Sequence, residues 1–247
     1  MEIYSATRGL YPHVSVDCVI FGFDGQALKV LLMSRRDEAH NSGYNDYKFP
    51  GSLVYANEDL DTAAVRAAHD ITGLRDLRLR QFRTFGAPDR ASSPRDKRWL
   101  ENATRQQVGR IVTVGYLTLI KMGEEVRSFG EDYNVAWFDV GDSTVQLAFD
   151  HPLILAEALR EIRRQVASRP AVVFDLLPPK FTARELRAAY SAIFSRTYDV
   201  RNFNKKFIEN EPLIVALDEK ERNVKHRAAR YLRFDRKAYA RQLTIDS

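Results

Sequence analysis

The sequence predicts a mixed α+β fold in two domains, the first over residues 1–168 and the second over residues 171–247. Extended apolar runs alternate with helical patterns in the first domain, and the organisation changes after Ser168-Arg169-Pro170. Charge divides unevenly as well. Residues 171–247 hold 16 Lys/Arg and 10 Asp/Glu, a net charge of +6, whereas the preceding residues hold 22 and 23, a net charge of −1. Such asymmetry indicates a polyanion-binding module joined to a neutral one.

Composition narrows the class of protein. The single cysteine, Cys18, allows no internal disulfide, so the expected location is a reducing cytoplasm. Cys18 lies in the apolar run Val16–Phe21 and is predicted to be a small buried hydrophobe rather than a nucleophile. No stretch approaches ~18 consecutive apolar residues, and no secretory signal pattern is present, so we expect no contact with a membrane.

The first domain is predicted to open with a hairpin and a helix. His13–Phe23 and Ala27–Ser34 read as strands, and Asp24-Gly25 between them is a turn signal. The spacing of small and apolar residues predicts a helix over Glu58–Thr72. Gly73 after it suits the left-handed position that ends a helix.

The rest of this domain is predicted to hold three strands and a closing amphipathic helix: Leu77–Phe85, Arg110–Lys121, Val135–Val140 and Phe149–Ala167. Asp150 and His151 are expected to form a helix cap rather than a general base. Residues 86–109 read as a loop with a short helix near Asp96–Ala103, and loops of this length are usually functional or disordered.

The second domain is predicted to begin with a capping box, Thr182-x-x-Glu185, which starts a helix that runs to Phe194. Asp199 is a good N-cap for a second helix, Val200–Glu209. The residues of that helix expected to face inward are Val200, Phe203, Phe207 and Ile208. Two strands follow, Pro212–Leu217 and Ala228–Phe234, with a charged tip between them. Two helices followed by a two-stranded wing are the layout of a winged helix-turn-helix.

The outward face of the second helix predicts contact with DNA. A recognition helix enters the major groove, where Arg pairs with guanine and Asn with adenine, while Lys neutralises phosphates. The predicted DNA-binding residues are Arg201, Asn202, Asn204, Lys205 and Lys206 on the helix and Arg222, Lys225, His226 and Arg227 at the tip. The competing interpretation is a solvated basic module that binds RNA or another protein.

Residues 52–74 carry the most specific pattern of the chain, and it resembles the signature of the Nudix hydrolases. The glycine of that signature falls on Ser52, its first glutamate on Glu58 and its arginine on Arg66. The three helical carboxylates of the signature fall on Ala67, Asp70 and Ile71. Positions spaced i, i+3 and i+4 share one helix face, and magnesium bound there requires hard oxygen ligands.

Ala67 and Ile71 supply no such ligand. We therefore expect no catalytic residue, no metal and no cofactor, and a sensor rather than an enzyme. An active hydrolase that uses Glu58, Arg66 and Asp70 is the main alternative. Acidic residues near the start of this helix also have an explanation that needs no ligand, because they interact favourably with the positive N-terminal end of the helix.

A Nudix-like signature followed by a winged helix resembles the arrangement of the Nudix-related transcriptional regulators. These proteins join a Nudix-like αβα sandwich to a C-terminal winged helix. Further matching stretches are Gln81–Arg90, Gly109–Tyr116, Ala148–His151, Leu176–Pro178, Phe181-Thr182, Arg201–Phe203 and Lys205–Phe207. The resemblance implies a homodimer that binds a double-stranded DNA operator. Its sign of regulation is expected to be repression that the effector relieves.

Within this family, the sequence looks closest to the arabinose-responsive regulators of Bacteroidetes. Eighteen residues separate Arg90 from Gly109, and the sequence of Lys48–Tyr55 is similar to the version of the signature in that group. This resemblance implies a repressor of sugar catabolism that senses a pentose such as L-arabinose. A regulator that senses ADP-ribose or another nucleoside-diphosphate sugar is the alternative. The predicted effector-binding residues are Lys48, Tyr55, Glu58, Asp70, Asp89, Arg90 and Arg110.

Overall fold

A computed structural model of the protein describes residues 10–35, 47–94, 96–97, 100–101, 109–122, 133–209, 211–222 and 228–245. The chain divides into two compact units. One consists of Met1–Gly22 and Lys29–Ile162, and the other of Phe23–Leu28 and Arg163–Ser247.

The first unit is built on a sheet that has six strands in the described part of the chain. They are β1 (Leu10–Phe23), β2 (Leu28–Arg35), β3 (Gly51–Tyr55), β4 (Arg80–Phe85), β5 (Val112–Lys121) and β6 (Tyr133–Asp139). Their order is β4-β5-β1-β2-β6, and β3 pairs antiparallel with β1. In the predicted hairpin, the Asp24 carboxylate accepts the Gln26 and Ala27 N–H groups at 2.8 Å each, and Gly25 has φ 95°.

Helix α1 (Leu60–Thr72) covers one face of this sheet. It begins after Asp59, whose carboxylate accepts the Thr62 N–H at 2.7 Å, and it ends at Gly73 with φ 70°. The helix buries four alanines against β1, and small side chains allow it to lie close to the strand: Ala63, Ala64, Ala67 and Ala68. The expected helix start at Glu58 was two residues early, because the Glu58 carboxylate binds Tyr55 and Arg66 instead.

The second helix, α2 (His151–Ser168), begins beside the opposite face of the sheet. Side chains alternate along β1, so Val16, Cys18 and Ile20 contact α1, while Asp17 points to the other side. There it lies 3.6 Å from the imidazole of His151, the first residue of α2. Cys18 is fully buried, as expected, and burial raises the pKa of its thiol. The αβα layering implied by the sequence is confirmed.

The second unit contains, after a 3-10 turn at Pro170–Asp175, a small sheet and three helices in the described residues. These elements are β7 (Phe181–Thr182), α3 (Ala183–Phe194), α4 (Val200–Asn204), β8 (Ile214–Lys220), β9 (Arg230–Phe234) and α5 (Arg236–Ile245). Helix α4 continues as a π-helical turn over Lys205–Glu209, and the strands are ordered β7-β9-β8. The predicted succession of two helices and a two-stranded wing is confirmed.

The first two helices of this unit, α3 and α4, begin at the predicted caps. Thr182 Oγ1 accepts the Glu185 N–H at 3.2 Å, and the Glu185 carboxylate accepts the Thr182 N–H at 2.7 Å. Asp199 accepts the Asn202 N–H at 2.9 Å. The Tyr190 ring packs against Phe203 and Phe207, with centroids 5.4 and 4.7 Å apart.

The expectation that Val200 faces inward is wrong, since its side chain is 53% exposed. Val200 is the first residue of α4, and the aromatic cluster begins one turn later, at Phe203, which is 1% exposed.

Candidate functional site

One guanidinium organises the region that resembles the Nudix signature. Arg66 donates to both oxygens of Glu58, from Nε at 2.9 Å and from Nη2 at 2.6 Å, and also to the Leu53 carbonyl at 3.0 Å. Glu58 accepts the Tyr55 N–H at 2.8 Å, and its side chain is 7% exposed. The hydrogen bond from Arg66 is the main cause that holds the pKa of Glu58 below its usual value. The Tyr55 ring lies 4.2 Å beneath this guanidinium.

The remaining positions of the signature do not converge on one point. Ala67 and Ile71 are buried in the core, whereas the Asp70 side chain is 53% exposed and lies 3.8 Å from Arg66. Across the described ranges of the chain, no group of three or more His, Cys, Asp or Glu side chains could hold a metal ion.

A cleft opens instead on the face of the sheet that carries Asp17. It is lined by Ser15, Asp17, Lys48, Phe49, Gly51, Ser52, Leu53, Arg90, Leu100, Ile111, Phe149 and His151. Its edge is positioned by residues 47–50, because Lys48 exchanges both backbone hydrogen bonds with Met33 of β2, and the Pro50 carbonyl accepts the Cys18 N–H at 2.8 Å. Aromatic and aliphatic walls thus surround a few ionisable groups.

Arg90 is held in the cleft by a two-point ion pair. Its Nη2 lies 2.7 Å and its Nε 3.1 Å from the two oxygens of Asp150, and the residue is only 8% exposed. Asp150 precedes α2, and we expected it to act as a helix cap. Its carboxylate instead binds Arg90, which lies 60 positions earlier in the sequence, while its backbone carbonyl accepts the Leu153 and Ile154 N–H groups at 2.9 and 3.1 Å.

His151 is buried, with 3% exposure, and its Nδ1 accepts the Phe49 N–H at 3.1 Å. Its ring stacks on the Phe49 ring at 4.9 Å. Burial is the largest influence on its pKa, which is lowered. The imidazole is therefore neutral near pH 7, and since Nδ1 accepts, the proton is on Nε2.

Asp17 completes this cluster and was missed by the sequence analysis. Its Oδ2 accepts the Thr113 hydroxyl at 2.7 Å and lies 3.9 Å from Arg90 Nη2, while its Oδ1 lies 3.6 Å from His151 Nε2. The one available signal was a carboxylate within the otherwise apolar run Val16–Phe21, where an unpaired charge is costly.

The predicted effector-binding residues are therefore divided. Lys48 and Arg90 line the cleft. Tyr55 and Glu58 support β3 together with Arg66. Asp70 and Asp89 are exposed, and Arg110 donates to the Gly86 carbonyl at 2.5 Å. The structure does not bring these last five residues to the cleft.

Most of the predicted DNA-binding residues that the structure describes in the second unit are exposed. Arg201, Asn202, Lys205 and Lys206 are exposed, as is Arg222 beyond the wing strand, and Asn204 is half-buried. Lys225, His226 and Arg227 lie outside the described residues. The Lys206 ammonium lies 5.1 Å from the centroid of the Phe207 ring.

Acidic residues of the wing are each bound by a nearby cation. Arg184 of α3 lies 2.8 Å from Glu221, which also accepts the Ala229 N–H at 3.1 Å. Lys180 lies 2.6 Å from Glu219, and Arg230 lies 3.0 Å from Asp218. The Arg184–Glu221 pair joins the wing to the start of α3, and all three pairs reduce the negative charge that would oppose a polyanion.

Comparisons with known proteins agree with this architecture. Residues 11–162 match the NUDIX domain, and residues 173–234 match the NrtR DNA-binding winged helix domain. No curated protein matches the chain. The structure is similar to Shewanella oneidensis NrtR in complex with a 27mer DNA, at 22% identity and a TM-score of 0.65, over 90% of this chain and 93% of that one.

It is also similar to a MutT/nudix family protein from Enterococcus faecalis, at 24% identity and a TM-score of 0.63, over 91% of this chain and 86% of that one. No helix among the described residues is both long enough and apolar enough to cross a membrane. The chain belongs to the NUDIX domain family and continues into a winged helix domain of the NrtR type, which makes it a DNA-binding regulator of the Nudix fold.

Proposed function

We propose that this protein is a transcriptional repressor of sugar catabolism whose Nudix domain senses a neutral pentose such as L-arabinose. The observation that carries the proposal is the balance of charge around the cleft. Among the described residues, Asp17, Lys48 and Arg90 line the cleft, Asp150 pairs with Arg90 beside it, and His151 is neutral, so two carboxylates balance two cations.

A balanced cleft favours an uncharged ligand. Asp150 already offsets the charge of Arg90 through Nε and Nη2, and Asp17 would repel an approaching phosphate. A nucleoside diphosphate binds best where cations or a metal are in excess. Sugar hydroxyls both donate and accept hydrogen bonds, so they suit alternating carboxylate and cationic groups. The apolar walls at Phe149 and Leu53 suit the C–H face of a sugar ring.

The region of the Nudix signature supports sensing rather than hydrolysis. A catalytic magnesium would need oxygen ligands where Ala67 and Ile71 stand, and Glu58 already accepts three hydrogen bonds, two from Arg66 and one from the Tyr55 N–H. We therefore assign no catalytic residue, metal or cofactor to this domain.

The winged helix supplies the output. A homodimer would place two α4 helices at the half-sites of a near-palindromic operator. Sugar binding releases the operator if it favours a state with lower affinity for DNA. The free energy of this effect is at most the difference in sugar-binding free energy between the two states. We propose cytoplasmic action on genes of pentose use.

A thermal-shift panel tests the sensor. L-Arabinose, D-xylose and ADP-ribose are compared, each with and without magnesium. A ligand at 100 times its Kd stabilises the native state by about 2.7 kcal/mol, so a millimolar effector is readily seen. We expect a shift with one pentose that magnesium does not alter. A shift with ADP-ribose that requires magnesium would contradict the proposal, and hydrolysis of ADP-ribose that Glu58→Gln abolishes would also contradict it.

A further inference from the structure

We infer that Asp17 is the residue that anchors the effector, through a ligand hydroxyl shared between its carboxylate and the imidazole of His151. The inference rests on the proposed sugar-sensing function and names the atoms of that site. It moves the recognition of the ligand from the Nudix signature, at Glu58 and Asp70, to the opposite face of β1.

The distances around Asp17 suit a shared hydroxyl. His151 Nε2 lies 3.6 Å from Asp17 Oδ1, and Arg90 Nη2 lies 3.9 Å from Oδ2. Both separations are too long for direct hydrogen bonds. A ligand oxygen placed between the two atoms of either pair can lie about 2.8 Å from both of them, which is an ordinary hydrogen-bond length.

The polarity of these groups selects the chemistry of the ligand. Nε2 of the neutral His151 and Nη2 of Arg90 only donate, whereas the Asp17 carboxylate only accepts. A hydroxyl can accept from the former and donate to the latter at once. A phosphate or carboxylate oxygen cannot donate, and an ammonium cannot accept. Two such positions on one carboxylate suit two adjacent hydroxyls, so the structure points to a vicinal diol of a sugar.

Neighbouring residues hold Asp17 in place for this task. The Thr113 hydroxyl, fully buried, donates to Oδ2 at 2.7 Å. Gly51 faces the other oxygen, and a Cβ at that position would lie 2.5 Å from Asp17 Oδ1 and from the Val16 carbonyl. Any larger side chain at position 51 would displace the carboxylate. An anchor fixed before binding loses little conformational entropy when the ligand arrives.

The test is Asp17→Asn in the full-length protein, with L-arabinose affinity measured by titration calorimetry. The amide keeps the size of the side chain and loses its charge. Since hydrogen bonds to charged groups contribute more than neutral ones, we expect affinity to fall by about 10- to 100-fold. The matched control is Asp76→Asn, an exposed carboxylate at φ 56°, which asparagine tolerates. It should bind as the wild type does.

Thr113 gives a second pair of variants if Asp17→Asn folds poorly. Thr113→Val removes the hydroxyl that orients Asp17 and should weaken binding, whereas Thr113→Ser keeps the hydroxyl and should restore it. Operator affinity without sugar should equal that of the wild type in the control Asp76→Asn. In Asp17→Asn, the L-arabinose concentration that releases the operator should rise by the same factor as the sugar Kd.

The outcomes separate this inference from the proposed function. Wild-type affinity in both Asp17→Asn and Thr113→Val would overturn the anchor and leave the sugar sensor standing. Absence of binding by L-arabinose and D-xylose to the wild type would overturn both. The last comparison uses the monodeoxy derivatives of the sugar, each of which lacks one ring hydroxyl. If every one of them binds as tightly as the complete sugar, the vicinal-diol assignment is overturned.

Discussion

At the scale of single residues, Arg66 ties strand β3 to helix α1. Its guanidinium reaches Glu58, the Leu53 carbonyl and, at 3.4 Å, the Ser52 hydroxyl. Ser52 and Leu53 also line the cleft on the far side of that strand. The arginine of the signature therefore has a purpose that does not depend on a metal.

Replacement of Glu58 by Gln should destabilise the protein by about 2 kcal/mol at pH 7, the order expected for hydrogen bonds to a charged partner. Because the pKa of Glu58 is lowered from its usual 4.5, its stabilisation is complete above pH 4.5 and is lost as the pH falls through the lowered pKa. Urea unfolding at several pH values measures both effects. Asp70→Asn, at an exposed position, is the control, and an equal loss there would contradict the argument.

His151 should make stability depend on pH in a different window. Its pKa lies below 6.5 in the folded protein, so the unfolded chain binds the proton more tightly. Stability is then complete above pH 6.5 and falls as the pH drops from 6.5 towards the lowered pKa. Protonation of Nδ1 would also break the hydrogen bond from the Phe49 N–H, because a protonated nitrogen cannot accept it.

His151→Asn should flatten this dependence, since the amide oxygen of asparagine can still accept the Phe49 N–H. Unfolding free energies between pH 5 and 7 are compared with those of His69→Asn, whose side chain is partly exposed. The same slope in His151→Asn and the wild type would refute the assignment.

At the scale of elements, local signals in the sequence were reliable where one or two residues define the geometry. Asp24 and Gly25 specified the hairpin, and Gly73 specified the end of α1. Strand β3 was not predicted, because it has only five residues and its pairing with β1 is not local. The π-helical turn at Lys205–Glu209 was also missed, since no local sequence rule marks it.

The recognition helix separates two kinds of contact. Arg201→Ala should relax base preference and cost about 1–3 kcal/mol on the best site, whereas Lys205→Ala should weaken all sequences alike and reduce the salt slope by about 1. Fluorescence anisotropy with operator and scrambled DNA, over a range of salt concentrations, measures both. Arg241→Ala, which removes an equal charge from α5, is the control. If neither α4 variant differs from it, this helix does not read DNA.

At the scale of the whole molecule, charge and element order were enough to predict the two domains, but not the cleft. Its residues come from β1, residues 48–53, Arg90, Leu100, Ile111 and the start of α2. They meet only when the sheet has formed, so no window of the sequence contains them. For example, Asp17 and His151 both line the cleft although they are 134 positions apart in the sequence.

If the proposed sugar controls operator binding, the coupling between the two ligands must be reciprocal. If saturating L-arabinose raises the operator Kd by some factor, saturating operator must raise the sugar Kd by the same factor. We expect a factor of about 5 to 150, the usual range for coupled sites. Calorimetry with and without DNA gives one ratio, and anisotropy with and without sugar gives the other. A sugar Kd that DNA leaves unchanged would show that the domains are not coupled.

The burial of Cys18 has a practical consequence. Only the thiolate reacts with maleimides and oxidants, and this thiol is fully buried with a raised pKa, so it should stay inert. The natural chain has no other cysteine. A cysteine introduced at exposed Arg222 would therefore take a single fluorophore per chain, without prior removal of a native thiol. Peroxide should likewise leave the Cys18 thiol unoxidised as long as the protein stays folded. Methionine side chains remain open to oxidation.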